Sequence, residues 1–259
     1  MSKVLLITGG ASGIGAAVAR IAAPRGFSVA INYRSRREQA EGLVTELRSL
    51  GARAVAIAAD VSEPSQLESL YERVKQELGV PDAVLNSAGI ATSSLRVEDA
   101  TAAELERLLR TNVLGVMLSC REAARAMSTK NGGSGGVVVN VSSMAATIGG
   151  RPGNSHYAAS KAAVDAFSVG FAKEVAAEGI RVVSVRPGFT ITDMTKARLE
   201  DAGFRQVIAE TIPIGRPARV EEVAAPIAWL LSSEASFITG ACLDISGGGF
   251  AIASAPRQA

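Results

Sequence analysis

Tyr157 and Lys161 stand four residues apart in Tyr157-Ala158-Ala159-Ser160-Lys161, a spacing that puts a phenol and an ammonium on the same side of a helix. Together they could move a proton. A free tyrosine has a pKa of about 10 and is a poor acid or base near neutrality, but a fixed positive charge beside it favours the phenolate. Bringing that pKa down to about 7 or 8 takes roughly 3 to 4 kcal/mol of preferential interaction with the anion. With three Tyr and six Lys in 259 residues, chance supplies about 0.07 such pairs. The pair therefore asks what the rest of the chain provides around it.

A proton-transfer pair needs a rigid frame, and the chain supplies apolar runs that alternate with helical stretches. Strands are expected at Val4 to Thr8, Ser28 to Tyr33, Ala54 to Ala59, Ala83 to Asn86, Val137 to Val141, Arg181 to Arg186 and Cys242 to Ile245. Helices are expected at Gly13 to Ala23, Arg37 to Leu50, Pro64 to Leu78, Ala102 to Met127, Tyr157 to Glu178 and Val220 to Leu231. Continuous apolar strands separated by helices imply an α/β fold, a parallel sheet covered on both faces. The only strongly flexible insert, residues 131–136, is six residues long and reads as a tight connection, so a single domain over 1–259 is expected.

The first strand runs into Thr8-Gly9-Gly10-Ala11-Ser12-Gly13-Ile14-Gly15, and an alanine-rich helix follows. Glycines there let the backbone turn sharply and approach a pyrophosphate, which then sits on the unpaired amides and positive dipole end of the helix. Position after the first strand of a βαβ unit gives the motif its weight. The Gly9, Gly13, Gly15 spacing departs from GxGxxG, and a glycine turn that serves only strand–helix packing is the alternative.

Composition excludes several classes. The charge is +2, from 27 basic and 25 acidic residues, too balanced to imply nucleic acid or another polyanion. Cys120 and Cys242 are too far apart in sequence to suggest a disulfide framework or a CxxC metal site, and both are expected to be reduced core thiols. Only Val4-Leu5-Leu6-Ile7 is apolar before Thr8-Gly9, too short for a signal-peptide core or a membrane span. A cytoplasmic protein without a membrane partner is expected.

TGGASGIG, Asn86-Ser87-Ala88-Gly89, Asn112, Ser143, the Tyr157–Lys161 pair and Arg186-Pro187-Gly188 occur in the order found in short-chain dehydrogenase/reductases, and nearly the whole chain resembles that family. The resemblance implies a doubly wound Rossmann fold with a seven-stranded parallel sheet, and a nicotinamide dinucleotide across the carboxyl ends of its strands. It implies that Tyr157 is the general acid/base and that Lys161 lowers its pKa and holds the nicotinamide ribose. It gives Ser143 the substrate oxygen, and Asn112 a water linking Lys161 to solvent. Carried over in the same way, the dinucleotide contacts are Gly9, Ser12, Gly13, Ile14, Gly15, Tyr33, Arg34, Ser35, Asp60, Val61, Asn86, Ala88, Gly89, Tyr157, Lys161, Pro187, Gly188, Thr190 and Thr192; no metal is implied. Such a set is chemically sensible, because hydride transfer to a carbonyl builds charge on oxygen, which needs donors and finally a proton.

Two departures from the family pattern stand out. Ser87 replaces the family's second Asn, which puts one cofactor-shaping contact in question. Ser143 precedes Tyr157 by fourteen residues where many relatives have thirteen, which makes Ser142 a rival, though alternation on leaving the strand favours Ser143. His156, the only histidine, is read as a loop residue near the pocket mouth, since Tyr157 already supplies the proton chemistry.

The second strand ends in Asn32-Tyr33-Arg34-Ser35-Arg36-Arg37. NAD-specific sites place a carboxylate here for the ribose 2′-hydroxyl, and Tyr33 occupies that position instead. Arg34, with Ser35 and Arg36 or Arg37, could grip a 2′-phosphate, so NADP is favoured over NAD. The expected activity is a carbonyl reductase or alcohol dehydrogenase acting on a small molecule. An NAD-dependent sugar or polyol dehydrogenase and a non-catalytic dinucleotide-binding sensor are the alternatives. Residues 189–215 are expected to close over the substrate. The helix from Tyr157 onward is apolar on every face, which implies a partner, and the resemblance implies that this pairing builds a homotetramer or homodimer.

Overall fold

Seven strands form one parallel sheet in the order β3-β2-β1-β4-β5-β6-β7. In the computed structural model, which describes residues 2–91 and 94–249, they are β1 (Lys3–Thr8), β2 (Phe27–Tyr33), β3 (Ala54–Ala58), β4 (Ala83–Asn86), β5 (Gly136–Val141), β6 (Ile180–Pro187) and β7 (Cys242–Ile245). Met1 and residues 250–259, the two ends of the expected domain, lie outside the described residues. The strand order reverses between β1 and β4, which pair through Leu5↔Ala83 to Thr8↔Asn86, so the carboxyl ends of these two strands open a crevice between diverging connections.

Each face of the sheet has its own core. Alternation along β1 sends Leu5 and Ile7 to a cluster with α1 (Gly13–Ala22), α2 (Arg37–Ser49) and α10 (Val220–Leu230). Val4 and Leu6 go to the other face, against α3 (Pro64–Glu77), α5 (Gly115–Met127) and α7 (Ser155–Val175). Parallel strands covered on both sides need no polar face, which explains the unbroken Val4-Leu5-Leu6-Ile7 run. Each such side chain contributes about 1.5 to 3 kcal/mol by leaving water. The remaining helices are α4 (Ala102–Leu109), α6 (Ala145–Ile148), α8 (Asp193–Lys196) and α9 (Ala202–Thr211).

The expected continuous helix from Ala102 to Met127 is interrupted. A π-helical turn, Arg110–Leu114, separates α4 from α5, and Asn112 sits in it. Asn112 Oδ1 accepts from the Ile90 N–H (2.8 Å), while Nδ2 donates to the Ile90 carbonyl (2.9 Å) and to Ser160 Oγ (3.1 Å). Three hydrogen bonds on a fully buried amide outweigh one turn of ideal helix geometry, and π-bulges are frequent at functional sites.

Three further expectations are corrected. His156 belongs to the first turn of α7, not to a loop. Cys120 is buried, but Cys242 is only partly so. The α7 helix is not apolar all round: Ser160, Lys161, Asp165 and Ser168 lie on its buried side, and Phe171, stacked on Phe167 with ring centroids 5.4 Å apart, is in the core. No helix among the described residues is long and apolar enough to cross a membrane.

Candidate active site

A cleft of about 740 Å³ opens at the carboxyl ends of the strands, a volume suited to a small molecule or cofactor. Its floor begins at the glycine turn between β1 and α1. Gly9 has φ +62° and Gly13 φ +56°, the left-handed region where glycine carries no steric cost. A Cβ at Gly9 would stand 2.7 Å from Ala88 Cα, so only glycine lets the turn nest against the β4 end. Ser12 is the residue before α1 and its side chain caps no helix N–H. The turn thus presents unpaired amides to the cleft, as a pyrophosphate site requires.

One residue holding this turn was given no role from the sequence. Asn32, polar and 1% exposed near the end of β2, accepts from the Gly9 N–H through Oδ1 (3.2 Å) and donates through Nδ2 to the Ala59 carbonyl (3.0 Å). It ties β1, β2 and β3 together at the cleft edge. A buried amide one residue before the end of an apolar strand was the available signal.

Tyr157, Lys161 and Ser143 all line this cleft. The Tyr157 hydroxyl is pushed above its ordinary pKa by burial, with a hydrogen bond to Ser143 pulling the other way. Lys161 behaves differently from the simple expectation of an ammonium against the phenol. Its Nζ donates to the Val141 carbonyl (2.9 Å) and lies 5.9 Å from the Tyr157 ring centroid. Burial pushes it down to about 8, against the opposing pull of Asp165. Asp165 is itself held by Ser184 Oγ (2.6 Å) and Arg186 Nε (2.7 Å), so the Arg186 of the Arg-Pro-Gly motif supports α7 from β6.

The two serines separate cleanly. Ser142, buried, donates to the Lys161 carbonyl (2.9 Å) and is committed to α7. Ser143 turns to Tyr157 and accepts from the Ala145 N–H (3.1 Å).

Of the other expected positions, Gly9, Ser12, Gly13, Ile14, Tyr33, Arg34, Ser35, Asp60, Val61, Ala88, Gly89, Pro187, Gly188, Thr190 and Thr192 line the cleft. Asn112, Gly15 and Asn86 do not. Asn112 lies just beneath: a Cβ at Gly89 would stand 3.4 Å from Lys161 Nζ and 3.5 Å from Asn112 Oδ1. Gly15 packs α1 onto β1, where a Cβ would meet Gly10 Cα at 3.0 Å. The Asn86 side chain is turned into the core, where its amide donates to Asn140 Oδ1 (2.8 Å). Ser87, the departure from the family pattern, reaches the cleft. His156 does not.

At the end of β2 the cleft is basic. Arg34 and Arg36 line it and Arg37 does not; Arg37 meets the Tyr33 hydroxyl and lies 3.7 Å from Glu41. Arg34 lies 3.6 Å from Asp60. Burial raises the Asp60 pKa, but hydrogen bonds from Ser62 and the nearby Arg34 outweigh it and hold the carboxyl below its usual range. Arg36 donates to Ser12 Oγ (2.8 Å) and pairs with Asp193 of α8. Residues 189–215 therefore touch the basic corner directly, and they contribute Phe189, Thr195, Ile208 and Ile212 to the cleft as well.

The chain matches known proteins over almost its full length. A family model described as Enoyl-(Acyl carrier protein) reductase covers residues 9–249. The chain is 42% identical over 245 residues to an uncharacterized oxidoreductase, YgfF, of Escherichia coli (strain K12), an alignment covering 95% of this chain and 99% of that protein. It is 33% identical over 248 residues to the 3-oxoacyl-[acyl-carrier-protein] reductase FabG of Staphylococcus aureus (strain Mu50 / ATCC 700699), covering 96% of this chain and 98% of the relative. A short-chain dehydrogenase from Burkholderia cenocepacia J2315, solved in complex with NADP, superimposes with a TM-score of 0.89 at 35% identity, covering 95% of this chain and 97% of that one. With the glycine turn at the strand-order switch and the serine, tyrosine and lysine in one cleft, these likenesses establish that the chain belongs to the short-chain dehydrogenase/reductase family of oxidoreductases.

Proposed function

We propose that the chain is an NADP-dependent carbonyl reductase or alcohol dehydrogenase in which Tyr157 is the general acid and base. The observation that carries this reading is the convergence of Ser143, Tyr157 and Lys161 on the cleft that also holds the glycine turn. The nicotinamide dinucleotide, when bound, supplies the hydride chemistry. For its phosphates the chain offers the turn at Gly9 to Ile14, and for a 2′-phosphate Arg34 and Arg36, with no carboxylate at the Tyr33 position. The adenine side has Asp60 and Val61.

In this reading Ser143 donates to the carbonyl oxygen of the substrate and fixes it beside Tyr157. Burial keeps Tyr157 protonated near neutrality, the form that can give a proton to an oxygen gaining negative charge. Lys161 supplies positive charge as the phenolate forms, and Asp165 helps keep it charged. Asn112 positions the Ile90 backbone and the first turns of α7 through Ser160. Residues 189–215 act as a substrate lid within one catalytic domain. Assembly as a homotetramer or homodimer is supported by the exposed Ala159, Ala166 and Gly170 of α7, small residues that allow close helix approach.

The test is Tyr157→Phe assayed with NADPH and a panel of ketones and aldehydes. Turnover falls at least about a hundredfold, the usual scale of general acid/base catalysis, while NADPH binding stays near normal. A variant that keeps wild-type turnover ends the assignment.

A further inference from the structure

Seven charged side chains line the cleft: Arg34, Arg36, Asp60, Arg151, Lys161, Asp193 and Arg198. The two carboxylates are both engaged at the basic corner, Asp60 beside Arg34 and Asp193 on Arg36. Lys161 donates one N–H to the Val141 carbonyl, is drawn by Asp165 and lies beside the Tyr157 ring, at the reacting end of the cleft. Arg151 and Arg198 remain, and among the described residues neither has a carboxylate within ion-pair distance.

These two arginines are brought together from distant parts of the chain. Arg151 lies in the turn between Ser143 and Tyr157, and Arg198 follows α8. Both guanidinium groups lie over the one ring of Phe204, at 5.5 Å and 4.5 Å from its centroid. Phe204 is packed edge-on against Phe189, with centroids 5.4 Å apart. Arg151 also reaches Thr211 Oγ1 on α9 (3.4 Å). Of the two carboxylates nearest Arg198 in sequence, Glu200 lies beyond ion-pair distance of it, and Asp201 is turned to the Phe204 N–H (2.7 Å) as the cap of α9.

Arg48 and Arg181, also without carboxylates, spend their N–H groups on backbone carbonyls. Arg198 has no such acceptor among the described residues; the exposed Arg25 and Arg107 have none either, but of the three only Arg198 lines the cleft. Burial and the neighbouring Arg198 both pull the Arg151 pKa down, in that order, which is the mark of two cations held close without a counter-charge. The same cleft is lined by the apolar Met144, Ile148, Ile208 and Ile212.

We propose that Arg151 and Arg198 form an anion subsite, and that the substrate is a ketone or secondary alcohol whose hydrocarbon body ends in an anionic oxyacid group, a carboxylate or a phosphate. The planar guanidinium matches either group with paired hydrogen bonds, and the aromatic ring orients both forks. The inference rests on the carbonyl-reductase reading for the reacting end of the substrate, but the anion end stands on its own geometry.

Two measurements separate the two claims. Isothermal titration calorimetry of the whole protein with octanoate, octyl phosphate and octanol needs no turnover. One or both anions bind at least tenfold tighter than octanol, and Arg151→Gln with Arg198→Gln removes the difference while Arg198→Lys keeps part of it. The tighter of the two anions identifies the oxyacid. In parallel, medium-chain oxo-acids and keto-alkyl phosphates are compared with the methyl esters of the same oxo-acids as substrates with NADPH. The preferred anion exceeds its neutral ester at least tenfold in kcat/KM, and each glutamine variant lowers that ratio, with circular dichroism confirming the fold. Anion binding without turnover of any carbonyl leaves the subsite standing and removes the reductase reading. Equal turnover of esters and anions, or equal binding of octanol and the anions, overturns the subsite.

Discussion

Replacing Lys161 with methionine separates what this residue costs the fold from what it contributes to chemistry. The ammonium is 5% exposed, and burial pushes its pKa to about 8 from the ordinary 10.5. Holding it charged at pH 7 therefore costs the folded protein about 3 kcal/mol. The folded state binds fewer protons than the unfolded chain between pH 8 and 10.5, so this contribution to stability rises with pH across that window. Below pH 8 the cost is present in full; above 10.5 it is gone.

Lys161→Met removes the charge at nearly constant volume, but it leaves the Val141 carbonyl without its 2.9 Å donor, a loss of about 1 to 3 kcal/mol. The net expectation is a variant more stable than wild type by about 1 kcal/mol at pH 7. That advantage reverses by pH 10.5, because only wild type gains stability as Lys161 deprotonates. Urea unfolding of both proteins, followed by circular dichroism from pH 7 to 10.5, reads the difference while cancelling the titration of every shared group. Stability curves that run parallel across the whole range refute the argument. On the proposed role of Lys161, activity with NADPH and a carbonyl substrate is lost at every pH, the outcome expected of a residue kept for function at a cost in stability.

The other predictions concern the remaining parts of the site. Asp193→Asn frees Arg36 and removes a like charge, so NADPH binds a few-fold tighter, the scale of an exposed ion pair, while NADH is unaffected; Arg36→Ala weakens NADPH selectively, and equal effects on both cofactors in fluorescence titrations contradict this. Asn112→Ala leaves the Ile90 N–H and carbonyl unpaired and lowers stability by about 2 kcal/mol or more in urea; an unchanged midpoint shows that the π-turn holds itself. Phe171→Glu places a charge in the core and prevents folding outright. Ala166→Glu, on the exposed side of α7, leaves a folded chain that sediments as a smaller species than wild type. Sedimentation of wild type itself as a monomer would remove the assembly proposal.

Much of the frame was legible along the chain because its physics is local. Unbroken apolar runs such as Val4-Leu5-Leu6-Ile7 define buried parallel strands wherever they fall, and the glycines at 9 and 13 are demanded by a turn with positive φ that few other residues adopt. The Tyr157–Lys161 spacing put both groups on one helix face without any tertiary information. What the sequence could not settle were choices made by contacts distant along the chain. The π-turn at Asn112 arises because its amide meets Ile90 and Ser160, 22 and 48 residues away, and periodicity carries no trace of them. That Ser143 and not Ser142 meets Tyr157 is decided by α7, whose Lys161 carbonyl engages the Ser142 hydroxyl. Arg36 and not Arg37 faces the cleft through Ser12 and Asp193. The pairing of Arg151 with Arg198 on Phe204 exists only once residues 189–215 fold back over the strand ends. Local propensity specifies elements and turns; the electrostatics of a buried lysine or an unneutralised arginine pair come from the tertiary fold, which decides what surrounds each charge.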